Sequence, residues 1–208
     1  MTLIPLASII LFGLILNHAI RKNNAAYRKV REEFWQKERA ANASPLQSID
    51  NLPYVRFPEN LPLHVATENP RIGEYQETLL NLSKKKILNL TGLSNTDLKM
   101  KYGAKNLEEL SKADQYFTVV CRTSLSLARS YLEEGFTEEA KALLHFGTEI
   151  GSDIKENWTI LAELLLEEKD NEGLKELSEK TSSIPDENSR RHIQKLVEDY
   201  CLLDEIMN

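Results

Sequence analysis

The sequence predicts an all-α chain: a single N-terminal transmembrane helix followed by a domain of stacked helices. Three observations carry that expectation. Residues 3–20 contain no Lys, Arg, Asp or Glu. Glycine is sparse, at 8 of 208 residues, and runs rich in Val, Ile and Thr are few, which disfavours sheets. From Arg71 onward, apolar residues recur at helical spacing.

The first element, residues 1–20, is read as a transmembrane anchor. The run LIPLASIILFGLILNHAI spans about 27 Å as a helix, close to the roughly 30 Å hydrocarbon core of a bilayer. Pro5 falls in its first turn, where a missing N–H is harmless. A cleaved signal peptide would carry positive charge before the apolar run and a small-x-small site after it. Here Asn17-His18-Ala19-Ile20-Arg21-Lys22 follows instead. A helix lying in the interface needs a polar face, and this segment is apolar all round.

Residues 21–41 form the second element, a basic juxtamembrane helix. Arg21, Lys22, Arg28, Lys29, Arg31, Lys37 and Arg39 face three acids, Glu32, Glu33 and Glu38, giving residues 21–39 a net +4. With −6 overall, residues 40–208 carry −10. Lys and Arg stay on the cytoplasmic side, so the N-terminus is expected outside and the C-terminal domain in the cytoplasm. Membrane lipids are the expected partner of residues 1–41, and the cationic collar suits an anionic surface. Tyr27, Val30 and Phe34 recur at helix spacing with Trp35 beside them. A stalk continuing the anchor is favoured over a lipid-inserted helix, because alanines and mixed charges dilute the apolar face.

Five of the seven prolines fall in residues 42–70: Pro45, Pro53, Pro58, Pro62 and Pro70. Proline stops helices and biases its predecessor toward extended backbone. Leu52, Tyr54, Val55, Phe57, Leu61, Leu63 and Val65 make this an apolar extended segment that packs on the helical body, with short mobile stretches at its start.

Residues 71–208 read as helices. Ile72, Tyr75, Leu79, Leu82, Ile87 and Leu90 mark one, ended by Thr91-Gly92. Ser94-x-x-Asp97 opens a short helix by a capping box, and Gly103 closes it. A long helix begins near Asn106, with Phe117, Val120, Cys121, Ser124, Leu127, Ala128 and Tyr131 on one face and Gly135 at its end. Further helices are predicted near 137–150, 153–169, 172–182 and 187–207.

Residues 121–184 resemble tetratricopeptide repeats, helix–turn–helix units of about 34 residues. Leu127, Ala128, Tyr131, Gly135, Ala140 and Leu144 follow that family's spacing. Adding 34 to Ser124, Leu127, Ala128 and Tyr131 gives Trp158, Leu161, Ala162 and Leu165, with tryptophan in its signature slot. The second unit carries Lys169-Asp170 where glycine would turn, and a one-residue deletion sets Gly173 opposite Ala140. The resemblance implies an α-solenoid. Its concave face would carry Arg122, Leu125 and Arg129 from the first unit and Thr159, Glu163 and Leu166 from the second. That face is an expected protein-binding groove, with the partner protein unknown, or else it packs on the 42–65 segment. The whole chain also resembles uncharacterised anchored proteins of low-GC Gram-positive bacteria, notably at LSNTDLKMKYGAKNL, residues 93–107, a likeness that implies no activity.

Nothing in the sequence requires a cofactor. No G-K-[ST] follows a glycine, and no G-x-S-x-G or H-E-x-x-H occurs. Cys121 and Cys201 lie 80 residues apart, and the four histidines are scattered, so no metal site is expected. The acidic body disfavours nucleic acid, and an enzyme is disfavoured. A small structural subunit of a membrane complex is the alternative to an interaction module.

Overall fold

The computed structural model describes residues 3–207, without the side chains of residues 3–10, 14, 15, 19, 25, 26 and 203–207. The described residues form helices and connecting segments, with no strand among them. In order these are α1 Leu3–Asn42, α2 Pro70–Leu82, α3 Asn95–Tyr102, α4 Leu107–Glu133, α5 Thr137–Glu149, α6 Lys155–Glu167, α7 Asn171–Lys180 and α8 Glu187–Met207. Two 3-10 turns, Ala104–Asn106 and Thr181–Ser183, complete the set. The chain forms two compact units, one from residues up to Gln47 with Ser94–Leu107, the other from Ser48–Leu93 with Glu108 onward.

In the first unit α1 runs unbroken for 40 residues, so the backbone does not break between the apolar run and the basic collar. Among the described residues no helix is long and apolar enough to cross a membrane. The anchor predicted at residues 1–20 falls largely outside the residues whose side chains are described. At its far end the Ser44 hydroxyl donates to the Ala40 carbonyl, and Pro45 then stops the helix.

Helix α3 packs on the last turns of α1. Ala41 is fully buried, Lys37 pairs with Asp97 at 2.8 Å, and Glu38 pairs with Lys99 at 2.8 Å while accepting from the Thr96 hydroxyl. The Ser94/Asp97 capping box predicted from sequence is present, with each side chain serving the other's backbone N–H. Gly103, at φ 87°, ends α3 where the chain after α1 crosses it: a Cβ there would lie 2.9 Å from Leu46 Cα. Gln47 N–H donates to the Tyr102 carbonyl at this crossing.

In the second unit residues 48–69 form a strap without regular structure, packed on the helices. Leu61 and Leu63 are buried in the core, and Phe57 meets Phe146 of α5 with ring centroids 5.0 Å apart and planes tilted by 50°. Tyr131 of α4 holds the strap in place. Its hydroxyl donates to the Pro62 carbonyl at 2.7 Å and accepts from Gln76 Nε2 of α2 at 2.8 Å. Gln76 also donates to the Val65 carbonyl.

The helix predicted from Ile72 to Leu90 stops at Leu82. From Leu82 the next apolar residue is Ile87, a step of five that leaves the helical face, and Ser83-Lys84-Lys85-Lys86 lies between. Ser83 caps the end with its hydroxyl on the Leu80 carbonyl. Ile87 and Leu88 are adjacent yet both buried, as in an extended chain enclosed on two sides. Their backbone bonds run to other segments: Val55 N–H to the Ile87 carbonyl, and Leu88 N–H to the Ala113 carbonyl.

The α4–α5 and α6–α7 turns are equivalent at an offset of 34 residues. Helix ends fall at Glu133 and Glu167, and the next helices start at Thr137 and Asn171. At the turns, Phe136 N–H donates to the Tyr131 carbonyl as Asp170 N–H does to Leu165. Ala140 N–H donates to Phe136 as Leu174 N–H does to Asp170. Gly135 sits at φ 84° and Lys169 at φ 58°, so the lysine adopts the left-handed turn expected of glycine. No deletion is needed. Leu174, buried, takes the place of Ala140, which corrects the alignment that put Gly173 there. The register is fixed by the turn hydrogen bonds, which small-residue matching does not see. Helix α5 packs on α6, α6 on α7, and α8 on both α6 and α7.

Candidate interaction surfaces

The six residues expected on a concave face do not all reach solvent. Arg122 is exposed on α4. Arg129, about two turns along the same helix, pairs through Nη1 with Glu156 Oε1 of α6 at 3.2 Å. Glu163 of α6 is exposed and accepts from the Tyr200 hydroxyl of α8 at 2.9 Å. Thr159 is half-buried and returns its hydroxyl to the Lys155 carbonyl. Leu166 is half-buried against the core.

Leu125 is buried, at 6% exposure, which corrects its assignment to the open face. Helix α4 buries Leu110, Ala113, Leu125 and Ser130 beside the predicted stripe, so it is covered on more than one side. The surface that remains is polar, with Arg122, Arg129 and Glu163 as its charged contacts. Glu156 and Tyr200 complete it; the sequence places Tyr200 only in the apolar stripe of the last helix and does not mark Glu156, because pairing between helices leaves no local pattern. Exposed pairs such as Arg129–Glu156 are worth about 0–1 kcal/mol, so a charged ligand group displaces one at little cost.

A second surface lies on α1. Arg21, Asn24, Tyr27, Arg28, Val30, Arg31 and Phe34 line a shallow crevice along one side of that helix. Their spacings of three and four place them on one face. Tyr27 and Val30 are about two-thirds exposed, at 66% and 65%, and Phe34 meets Trp35 edge-on at 5.3 Å. No acid belongs to this set. Arg21, Asn24, Arg28 and Arg31 were legible in the sequence as steps of three, four and three, although only the net charge was read there.

The titratable groups elsewhere follow their surroundings. Burial pushes the Cys121 thiol up to about 12, so it stays protonated. Burial also lowers the His145 pKa, with the Lys180 charge adding to it. The Lys99 hydrogen bond, then the Thr96 hydroxyl, hold the Glu38 carboxyl below its usual range. Among the described residues, no three His, Cys, Asp or Glu side chains gather as metal ligands.

Compared with family models, with curated proteins and with solved structures, the chain has no match in any of the three.

Proposed function

We propose that the chain is a membrane-anchored protein-interaction module. In this reading residues 3–20 cross a bacterial cell membrane once, the collar at 21–39 stays on the cytoplasmic side, and the body at 71–208 is a tetratricopeptide-like solenoid. A protein partner docks on the polar face of α4 and α6, around Arg122, Arg129 and Glu163. The observation that carries the reading is the 34-residue period of turn hydrogen bonds and left-handed residues at Gly135 and Lys169. Stacked units of that length present their first helices on one side and bind extended or helical peptides there. The anchor is supported by the eighteen uncharged residues before the collar.

The test is photo-crosslinking from position 122 in native membranes, with position 175 as control; Lys175 is exposed on α7. A partner adduct at 122 that Arg129→Glu abolishes supports the groove. Identical adducts from both positions overturn it.

A second reading is a small structural subunit of a membrane complex. It is favoured by the internal partners that Arg129 and Glu163 already have, and by the burial of Leu125. Deleting residues 1–20 separates the two: an interaction module keeps its partner in solution, whereas a complex subunit loses it.

A further inference from the structure

We infer that the α1 face carrying Arg21, Arg28 and Arg31 holds the phosphate head groups of anionic phospholipids. This rests on the anchor reading of residues 3–20. All three arginines are exposed and share one crevice with Asn24 and Tyr27. Guanidinium groups bind phosphate oxygens in pairs, so a row of them recognises phosphate better than the same charge spread around the helix. Two other collar cations lie against acids: Lys29 faces Glu33 at 3.9 Å and Lys37 pairs with Asp97 at 2.8 Å.

Helix direction decides whether the row reaches the lipid. Because α1 is continuous, Arg28 and Arg31 follow Ile20 by about 12 and 16 Å of rise. The head-group layer adds only about 5–7 Å per leaflet, which places their backbone beyond it. Side chains on a helix lean toward its N-terminus. The N-terminus of α1 is the membrane end, so these long side chains lean back toward the head groups. The surface field also extends about 8 Å at physiological salt.

Two other occupants fit less well. A second copy laid parallel along Tyr27, Val30 and Phe34 would run into α3, which occupies the continuation of that seam at Lys37, Glu38 and Ala41. A partner bound through apolar contact alone would leave three arginines against it without counter-charge.

The experiment uses the full chain, purified in mild detergent and reconstituted into nanodiscs of equal parts phosphatidylglycerol and phosphatidylcholine. Native mass spectrometry reads which lipid stays bound. The wild type is expected to favour phosphatidylglycerol at least about tenfold. Arg28→Gln/Arg31→Gln is expected to lower that preference about tenfold. Lys29→Gln/Arg39→Gln, which removes the same charge, lowers it by less than about twofold. A wild type without preference overturns the inference, as does an equal loss in both variants, which would mean net charge alone. Carbonate washing of native membranes separates the two failures. A chain that washes off overturns the anchor and this site together; one that stays but shows no preference overturns the site alone.

Discussion

Gly147→Ala tests how α5 and α6 are held together. A Cβ at position 147 would lie 2.5 Å from Asn157 Oδ1 and 2.9 Å from its Cγ and Nδ2. Asn157 is only 1% exposed, and its Nδ2 donates to the Leu144 carbonyl at 2.9 Å. The added methyl therefore pushes a buried amide off its acceptor. Leaving that amide unsatisfied costs about 1–3 kcal/mol, and the overpacking about 1–3 more. The gain in helix propensity from glycine to alanine returns about 1 kcal/mol. The net expectation is a loss of about 1–5 kcal/mol, a melting temperature lower by roughly 2–20 °C for a chain of this size. Thermal unfolding followed by far-UV circular dichroism reads it, on the full chain in mild detergent. Asn157→Ala removes the clashing group, so the double variant should be at least about 1 kcal/mol more stable than the sum of the single losses predicts. A neutral Gly147→Ala, or strict additivity with Asn157→Ala, refutes the close approach.

Further expectations concern the turns, the α1–α3 contact and two core residues. Gly135→Lys should destabilise by about 1–2 kcal/mol through left-handed strain, while Lys169→Gly should be neutral or stabilising by under about 1 kcal/mol, because relieved strain offsets glycine's added unfolded-state entropy; a neutral Gly135→Lys, or a Lys169→Gly that lowers the melting temperature, would reject the shared turn geometry. The Asp97 carboxyl is held down to about 2, first by the Lys37 hydrogen bond and then by Ser94. Its folded pKa lies below its unfolded value, so its contribution is complete above about pH 4 and disappears as pH falls from there through 2. Amide exchange across Asn95–Tyr102 should accelerate in that window, and an unchanged profile in Asp97→Asn would remove Asp97 from the explanation. Cys121 should resist alkylation at pH 8 in the folded chain and react after half-buried Cys201, which peptide mass mapping checks. Ser124 Oγ is buried without a hydrogen-bond partner among the described residues. Ser124→Ala should therefore raise stability by about 0.5–2 kcal/mol, and a lower melting temperature would reveal a partner for that hydroxyl.

What the sequence made legible was local chemistry. The Ser94/Asp97 box, the stop at Gly103 and the turn at Gly135 depend on residues within a few positions of one another, and each stands where the pattern placed it. The apolar strap was legible because its hydrophobic residues had no helical period yet needed cover. Leu125 and the segment after Leu82 were misread for a shared reason: each is enclosed by elements distant in sequence. Leu125 looked like an open-face residue because α4 was given a single buried stripe, whereas α4 is covered on more sides. Ile87 and Leu90 looked helical because apolar residues occur at both positions, but their backbone partners are Val55 and Asp114. The pairing of Arg129 with Glu156 and of Glu163 with Tyr200 has no sequence signal at all, since each joins residues on different helices.

The two hairpins share a turn geometry but differ in side-chain size at particular buried positions. At equivalent positions 34 apart, the first holds Ser124, Ala140 and Gly147 where the second holds Trp158, Leu174 and Thr181, all buried. The first hairpin meets the strap and α2 through Tyr131, bonded to Pro62 and Gln76, and through Phe146 against Phe57. The second meets α8, which contributes Ile193 and Val197. Elsewhere the order reverses: the first hairpin holds buried Tyr131 and Phe146 where the second holds Leu165 and Lys180, and both of the larger residues meet the strap. The weak repeat in the sequence is thus the expected result of one turn geometry placed between unlike neighbours.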